Sequence, residues 1–342
     1  MNARRCHCTR DRPAAGNRAP ECRRVRGVTI RPSMARRTLD LEAPIDLRLV
    51  LGPLLRGRGD PTLRLNAVAA ARATRTPDGP ATVLVEVRGN RLEAEAWGPG
   101  ADRILDGLPA LLGMDDDATG FDPSLHPVVA RLARRLPGLR LGRTGAILEV
   151  LVPAILEQLV TGAEASFAFR TLVRRHGEPA PGPVAAAQRL RLQPSPEALA
   201  ALPYYAFHPL GVEQRRAEIV RRVARDARRL EALADLRGTR AEVGAAAGTR
   251  LRAYPGIGPW TAAEVTLRAL GDPDAVSVGD YHLPSLVAFA LAGEPRADDA
   301  RMLELLGPWR GHRARVIRLL EAGAAGPPRH GPRYSAPDRR AM

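Results

Sequence analysis

An aspartate directly before a predicted helix, Asp280, lies downstream of a glycine-rich turn, and the two together are the part of the sequence best suited to chemistry. The turn is residues 255–259, PGIGP, and it precedes a helix predicted from Trp260 to Leu270. Because glycine tolerates positive φ, the N–H groups of Gly256 and Gly258 can face one concavity, a geometry that binds phosphate. Asp280 comes directly before an apolar segment that predicts another helix. The stretch therefore offers an anion-binding turn and one carboxylate close to it in sequence.

The same stretch resembles a known protein family. The hairpin PGIGPWTA at 255–262, the DPDA turn at 272–275 and the acid in GDYHL at 279–283 are spaced as in the helix-hairpin-helix (HhH-GPD) superfamily of DNA glycosylases. Within that superfamily, the stretch is similar to the 3-methyladenine glycosylase II branch. Residues 148–178 resemble the helix pair that opens the catalytic core of these enzymes. The resemblance covers about 125–323, with weaker support from residue 38 on.

The fold implied by the resemblance agrees with the pattern of the sequence. Residues 38–114 predict a small α+β domain, because residues 81–97 alternate apolar and polar side chains around a Gly89-Asn90 turn. This alternation is typical of an antiparallel sheet with one wet face. The family has a TATA-binding-protein-like domain at this place. Residues 125–323 predict an all-α core, which is the helix-hairpin-helix glycosylase core of the family.

Three segments lie outside these two domains. Residues 1–37 mix arginine, proline, glycine and alanine without periodicity and predict a disordered basic tail. Residues 324–342 also lack a pattern, and we predict that they are disordered. Residues 114–123, MDDDATGFDP, form an acidic linker. We interpret this linker as a solvated turn, because it lacks the ligand spacing of a calcium-binding loop.

The charge balance points to a polyanionic partner. The chain has 342 residues and a net charge of +15, from 52 basic and 37 acidic residues. Residues 1–37 hold eleven arginines against Asp11 and Glu21, so this segment contributes 11 − 2 = +9. The remainder is mildly basic. Such a balance indicates nucleic acid as the partner, and the resemblance implies double-stranded DNA that contains damaged bases.

All basic residues are arginines. The sequence contains no lysine, so no lysine amine can form a Schiff base with an opened sugar. Bifunctional members of the family place a lysine nucleophile directly before the Thr-Ala of the second hairpin helix, and Trp260 occupies that position here. We therefore expect a monofunctional enzyme that uses water as the nucleophile.

The cysteines predict no metal centre. Cys6, Cys8 and Cys22 all lie in the basic tail, and their spacing with His7 matches no common structural zinc site. The four-cysteine iron–sulfur loop of the endonuclease III branch cannot be built from three cysteines. We expect that no cofactor is required. The resemblance does imply that the hairpin carbonyls could bind a monovalent cation.

The sequence has no feature of a membrane or exported protein. No apolar run reaches the roughly 18 residues of a membrane span, and no tripartite signal is present at the first residues. We expect a cytoplasmic monomer that acts at the nucleoid.

The resemblance assigns roles around the hairpin. The amides of Gly256 and Gly258 would grip a DNA phosphate at a helix N-terminus, and the Thr261 hydroxyl would add to this contact. Asp280 would lie near C1′ of the damaged nucleotide, where a carboxylate stabilises the oxocarbenium ion or activates the attacking water. Aspartate is also a common helix N-cap, and Asp280 could cap a helix starting at Tyr281. Both roles are compatible, since a helix N-terminus favours a negative charge.

Lesion recognition requires a base pocket and a wedge. An electron-poor alkylated base stacks on electron-rich rings, and we assign Trp260, Tyr281 and Trp309 to the pocket. A side chain must also fill the space left by the extruded base, and we assign this wedge to Leu132 in LARRLPGLRL. The family has further aromatic rings at positions that correspond to Glu264 and to the region of Arg318 and Leu319. These departures argue against a broad lesion range based on stacking.

Three functions fit these observations. The first is a monofunctional DNA glycosylase that removes alkylated purines of the 3-methyladenine type in base-excision repair. The second is the same scaffold acting on a deaminated or oxidised base. The third is a helix-hairpin-helix DNA-binding protein without catalysis. The acid at position 280 favours the enzymes over the third function.

Overall fold

The computed structural model describes residues 34–328, and its first part is a five-stranded antiparallel sheet in the order β1-β5-β4-β3-β2. The strands are β1 (Met34–Asp40), β2 (Leu63–Leu65), β3 (Ala69–Thr76), β4 (Gly79–Arg88) and β5 (Arg91–Trp97). The predicted tails, other than residues 34–37 and 324–328, and all three cysteines lie outside the described residues. The predicted N-terminal tail, 1–37, overlaps β1, because Met34 already pairs with Trp97.

The β4–β5 hairpin follows the predicted pattern. Its turn uses Gly89, whose φ is +64°, and its register places Val83 opposite Ala96 and Val85 opposite Ala94. These apolar side chains pack against three short helices, α1 (Leu47–Leu51), α2 (Ala101–Asp106) and α3 (Leu108–Leu111). The predicted α+β fold is confirmed.

The other face of the sheet is not fully wet, which corrects the sequence prediction. Ala71 and Ala73 of β3 are buried against Leu190 and Leu192, which are more than a hundred residues away in sequence. The covering segment contains a two-stranded sheet, β6 (Glu178–Pro179) and β7 (Arg191–Leu192), with helix α7 (Pro183–Gln188) between its strands. An alternating pattern reports the polarity of a strand but cannot reveal a distant segment that returns to cover it.

The rest of the described chain is helical. The further helices are α4 (Pro127–Arg135), α5 (Ile147–Glu157), α6 (Gly162–His176), α8 (Pro196–Ala201), α9 (Tyr204–Phe207), α10 (Gln214–Arg225), α11 (Ala227–Glu231), α12 (Arg240–Arg252), α13 (Pro259–Val265), α14 (Leu283–Ala292), α15 (Asp299–Leu305) and α16 (Arg313–Gly323). A π-helical turn, Thr266–Leu270, continues α13. Within residues 34–328, no helix is both long enough and apolar enough to span a bilayer.

Two hydrophobic cores organise these helices. Helices α5, α6 and α10 to α13 surround one core, which includes Phe169 and Val265. Helices α4, α14, α15 and α16 surround a second core, which includes Trp309 and Val287. The loop from Gly271 to His282 joins the two, since it leaves the first core after the π-helical turn and enters the second at α14. We call it the linking loop.

Most of the acidic linker is an exposed turn, as predicted, but Asp116 anchors it to the helical part. Asp116 accepts two hydrogen bonds from the Arg315 guanidinium, at 2.7 and 2.8 Å, and both side chains are about 95% buried. Asp115 pairs with Arg143 and Arg240, each at 2.5 Å. These aspartates form ion pairs with arginines that are distant in sequence and that the tertiary fold brings close to them.

Candidate active site

The hairpin turn requires glycine at one of its two positions. Gly256 has φ +94°, and a Cβ added there would lie 2.3 Å from Cδ1 of Ile219 on α10. Any other residue would be strained and would clash. Gly258 has φ −88°, which every residue can adopt, and no protein atom lies within 4 Å of an added Cβ. The prediction of positive φ at both glycines is therefore wrong for Gly258.

The hairpin presents free N–H groups beside a helix N-terminus. Across residues 34–328, no acceptor is hydrogen-bonded to the N–H of Gly256 or of Gly258. Pro259 opens α13 at a position where a missing N–H costs nothing. A helix N-terminus with unsatisfied N–H groups favours an anion such as a phosphate.

The side chain of Gln158 ties the hairpin to the end of α5. Its Nε2 donates to Gly256 O at 3.0 Å and to Thr261 Oγ1 at 2.9 Å. Thr261 is only 2% exposed, so its hydroxyl cannot reach a DNA phosphate, which corrects that assignment. A second carbonyl of the turn, Pro255 O, accepts from Arg222 Nη1 at 3.0 Å.

The carboxylate of Asp280 is held by three N–H donors. Oδ1 accepts from the backbone N–H groups of His282, at 2.7 Å, and Leu283, at 2.8 Å. Oδ2 accepts from Trp260 Nε1 at 3.0 Å. Asp280 thus supports the start of α14, which begins at Leu283 and not at Tyr281, and also faces the hairpin helix. The side chain is only partly buried.

Two aromatic residues adjoin this carboxylate, one through a hydrogen bond and one in sequence. Trp260 is partly buried against the first helical core, with its indole N–H directed at Asp280. Tyr281 follows the acid and is 90% exposed, with its ring edge-on to His282 at 4.8 Å. The carboxylate thus contacts the indole of the hairpin helix and is followed in the chain by an exposed phenol.

Solved structures share this arrangement of elements. The 3-methyladenine DNA-glycosylase from Archaeoglobus fulgidus matches with a TM-score of 0.69 and 18% sequence identity, over 83% of this chain and 97% of that one. The chain has the fold of the helix-hairpin-helix DNA glycosylases. The 8-oxoguanine glycosylase/lyase from Clostridium acetobutylicum, solved in complex with double-stranded DNA, matches with a TM-score of 0.59 and 13% identity, over 81% and 92% of the two chains.

A curated relative supports the same family at the level of sequence. The chain is 33% identical over 180 residues to a Mycobacterium tuberculosis protein named probable bifunctional transcriptional activator/DNA repair enzyme AlkA. The match covers 51% of this chain and 34% of the relative, so the match extends over about a third of the relative's length. No family model matches the chain. The resemblance to 3-methyladenine-type DNA glycosylases that the sequence predicts is confirmed.

Two predicted site residues of this glycosylase fold lie in the core instead. Trp309 is 4% exposed, and its Nε1 donates to Asp122 O at 2.8 Å. Leu132 is 1% exposed on α4 and contacts the same core. Neither side chain can stack on a base or enter a duplex, so both assignments are wrong. A tryptophan is suited to stacking and a leucine to a wedge, but tertiary packing buries both side chains.

The sequence prediction missed a strongly exposed leucine next to the hairpin. Leu159 is 95% exposed and has φ +55°, a conformation that is costly for a leucine. It directly follows Gln158, whose side chain binds the hairpin, and precedes the capping box of Thr161 and Glu164 that starts α6. The sequence signal was present: a leucine between a helix end and a capping box belongs to neither helix face.

Two positions that correspond to rings in the resembling family are charged here, Glu264 and Arg318. Glu264 is 8% exposed, forms an ion pair with Arg268, and accepts from Ser277 Oγ at 2.6 Å. Arg318 pairs with Glu321 at 2.6 Å and donates to Leu49 O at 3.2 Å. Charged side chains stand at these positions where the resembling family has rings.

Proposed function

We propose that the protein is a monofunctional DNA glycosylase that removes alkylated purines from double-stranded DNA in base-excision repair. One observation carries the proposal: a partly exposed carboxylate, Asp280, is fixed by three N–H donors beside a hairpin with free amides. The Mycobacterium relative, which is named a DNA repair enzyme, supports the same reading.

DNA binding in this proposal begins at the hairpin. The free amides of Gly256 and Gly258 and the N-terminus of α13 bind one phosphate without reading the base sequence. Arg222, which already contacts the hairpin, adds positive charge on the same side. Such contacts position the duplex and depend on salt concentration. A monovalent cation at the hairpin carbonyls stays a prediction.

Leu159 acts as the wedge in place of Leu132. Base extrusion leaves a gap in the stack, and an apolar side chain that is already outside the fold can enter it. The strained backbone of Leu159 and its exposure are unexplained by folding, since a leucine gains nothing from projecting into water. The Gln158 contacts to the hairpin keep this side chain beside the phosphate-binding turn.

The chemical step requires little acid assistance, because an alkylated purine already carries positive charge. The C1′–N bond breaks and its electron pair leaves with the base. Asp280 stabilises the oxocarbenium character that develops on the sugar, and water adds to C1′ and loses a proton. The chain has no lysine, so the expected product is an intact abasic site.

Base release from methylated duplex DNA tests this function directly. Wild type should release 3-methyladenine or 7-methylguanine and leave abasic sites that alkali cleaves. Borohydride should trap no protein–DNA adduct in high yield. Binding of the lesion duplex without any base release would favour the third function, a DNA-binding protein without catalysis.

The wedge has its own matched pair of variants. Leu159→Ala should slow base release from duplex DNA by about 10- to 100-fold and leave release from single-stranded DNA within about threefold, since only a duplex must be opened. Leu125→Ala changes another exposed leucine, 53% exposed, and should have no effect. Equal rates for Leu159→Ala and wild type on duplex DNA would exclude the wedge.

A second candidate is the same reaction on a deaminated or oxidised base. The observation in its favour is that charged residues, Glu264 and Arg318, stand where the resembling family has rings, since a pocket with fewer rings stacks less well on an electron-poor base. A panel of duplexes with one lesion each, assayed under single-turnover conditions, ranks the two candidates. Faster release of a neutral lesion than of 7-methylguanine would favour the second candidate.

A further inference from the structure

We infer that Ser277 and Glu264 form a positioning pair that fixes the catalytic carboxylate, Asp280, against the hairpin helix. The inference rests on the proposed function, in which Asp280 faces the sugar. It adds a role for two side chains that do not touch the substrate.

Two side chains on one face of α13 bind the linking loop. Trp260 and Glu264 are one helical turn apart, so they project on the same side. Trp260 Nε1 donates to Asp280 Oδ2 at 3.0 Å, and Glu264 Oε1 accepts from Ser277 Oγ at 2.6 Å. Along residues 271–282, these are the side chain–side chain hydrogen bonds that connect the loop to α13. The carboxylate is therefore held from two adjacent points of one rigid element.

Ser277 is coupled directly to the acid. Its carbonyl accepts from the backbone N–H of Asp280 at 3.2 Å, which closes a tight turn over Gly279, with φ +92°. Ser277 and Asp280 therefore belong to one turn, and a shift of the Ser277 backbone is passed on to the acid. Ser277 is 8% exposed, so water competes little for its hydroxyl.

Glu264 is itself held in place. It forms an ion pair with Arg268 one turn further along, and Arg268 Nε donates to Pro53 O at 3.0 Å. A buried carboxylate is costly unless it is paired and hydrogen-bonded. Apolar residues could fill this position without that cost. Because Arg268 holds the Glu264 carboxylate in place, Glu264 Oε1 is an acceptor of fixed direction. The Ser277 hydroxyl donates to it.

The test uses the full chain and three serine variants. Ser277→Ala removes the hydroxyl and leaves the Glu264–Arg268 pair intact. We expect its single-turnover base release from methylated duplex DNA to fall by about 10- to 30-fold, with the dissociation constant for the lesion duplex changed by less than about threefold. Ser277→Thr keeps a hydroxyl and should recover to within about fivefold of wild type.

A control variant separates positioning from general destabilisation. Ser195 Oγ accepts from Ala198 N at 3.1 Å and caps α8, in another part of the fold. Ser195→Ala also loses one serine hydrogen bond and should keep the wild-type rate of base release. A Ser277→Thr variant as slow as Ser277→Ala, or a Ser277→Ala variant within twofold of wild type, would overturn the inference.

A second readout does not depend on activity. The chain has three tryptophans, and the Nε1–H of Trp260 binds Asp280 whereas that of Trp309 binds a backbone carbonyl. In spectra of protein with ¹⁵N-labelled tryptophan, Ser277→Ala should shift the Trp260 indole signal and speed its hydrogen exchange by about 10-fold, with Trp309 unchanged. An unaltered Trp260 signal would overturn the positioning role. If wild type releases no base, the proposed function fails, but this measurement still decides whether the pair holds Asp280.

Discussion

The aspartates near the two ends of the linking loop differ in how deeply they are buried. At its start, Asp272 is 7% exposed and its carboxylate packs against Gly244, where an added Cβ would lie 2.2 Å from Oδ2. Burial raises the pKa of Asp272 to about 6. At its end, Asp280 is partly exposed and bound by N–H donors from α14 and the hairpin helix. Residue type is the same at both ends, and only the surroundings differ.

Asp274 completes the comparison. Its carboxylate accepts two hydrogen bonds from the Arg313 guanidinium, at 2.6 and 2.8 Å, and one from Gly311 N at 2.8 Å. Although burial acts to raise it, the pKa of Asp274 is lowered because Arg313 donates to and attracts the carboxylate. The first acids of the loop therefore hold the fold together, whereas the last one is partly exposed to solvent. Four substitutions test this division.

Asp280→Asn should have the largest effect, and it should be on catalysis. We expect single-turnover base release to fall by about 10³-fold, because the negative charge beside the sugar is lost. Asparagine is a good N-cap, so α14 and the melting temperature should change little. Lesion-duplex binding should stay within about threefold of wild type. A variant with near wild-type turnover would remove Asp280 from the mechanism.

Asp274→Asn should lower stability and leave catalysis nearly unchanged. Loss of the ion pair leaves the Arg313 guanidinium, 24% exposed, without its partner, which should lower the free energy of unfolding by about 2 kcal/mol. Base release per folded molecule should stay within about threefold of wild type. Urea unfolding and active-site titration measure the two quantities separately. A large loss of catalysis without loss of stability would contradict the division between the two ends of the loop.

Asp272→Asn should change how stability depends on pH. The pKa of Asp272 is raised in the folded state, so the unfolded chain loses this proton first as pH rises from about 4 to 6, and wild type becomes less stable over that window. Asparagine cannot ionise and still offers an oxygen to Asp274 N. The variant should gain up to about 2 kcal/mol over wild type at pH 8 and nothing at pH 4. A constant difference across that window would show that the carboxyl is not the cause.

Trp260→Phe should have the smallest effect. The ring is kept for packing and stacking, but the N–H that binds Asp280 Oδ2 is lost, which is worth about 1 kcal/mol. Base release should slow by roughly fivefold, and combining the change with Asp280→Asn should add nothing further. Additive losses in the double variant would indicate that Trp260 acts through the substrate and not through Asp280.

Local sequence patterns predicted the elements with strong signals. The β4–β5 hairpin, the positive φ of Gly256 and the helix end at Gly271, with φ +69°, all follow from alternation or from glycine's lack of a Cβ. Strand β3 was missed, because its AAARATRT sequence has few apolar residues of high strand propensity and its pairing with β4 comes from the sheet around it.

The errors in the site have one common cause. Leu132 and Trp309 were assigned by type, and tertiary packing buried both. Leu159 was overlooked, although no helix covers it. Exposure is a property of the assembled fold, since it depends on which distant elements contact a side chain.

Composition and local pattern alone establish that a glycine-rich hairpin precedes Asp280, that the chain has no lysine to act as a nucleophile, and that a sheet is followed by helices. These depend on neighbours in the chain or on composition. The contacts of Trp260 with Asp280 and of Glu264 with Ser277 arise from tertiary packing, because they join residues 20 and 13 positions apart through an irregular loop whose path no local pattern fixes.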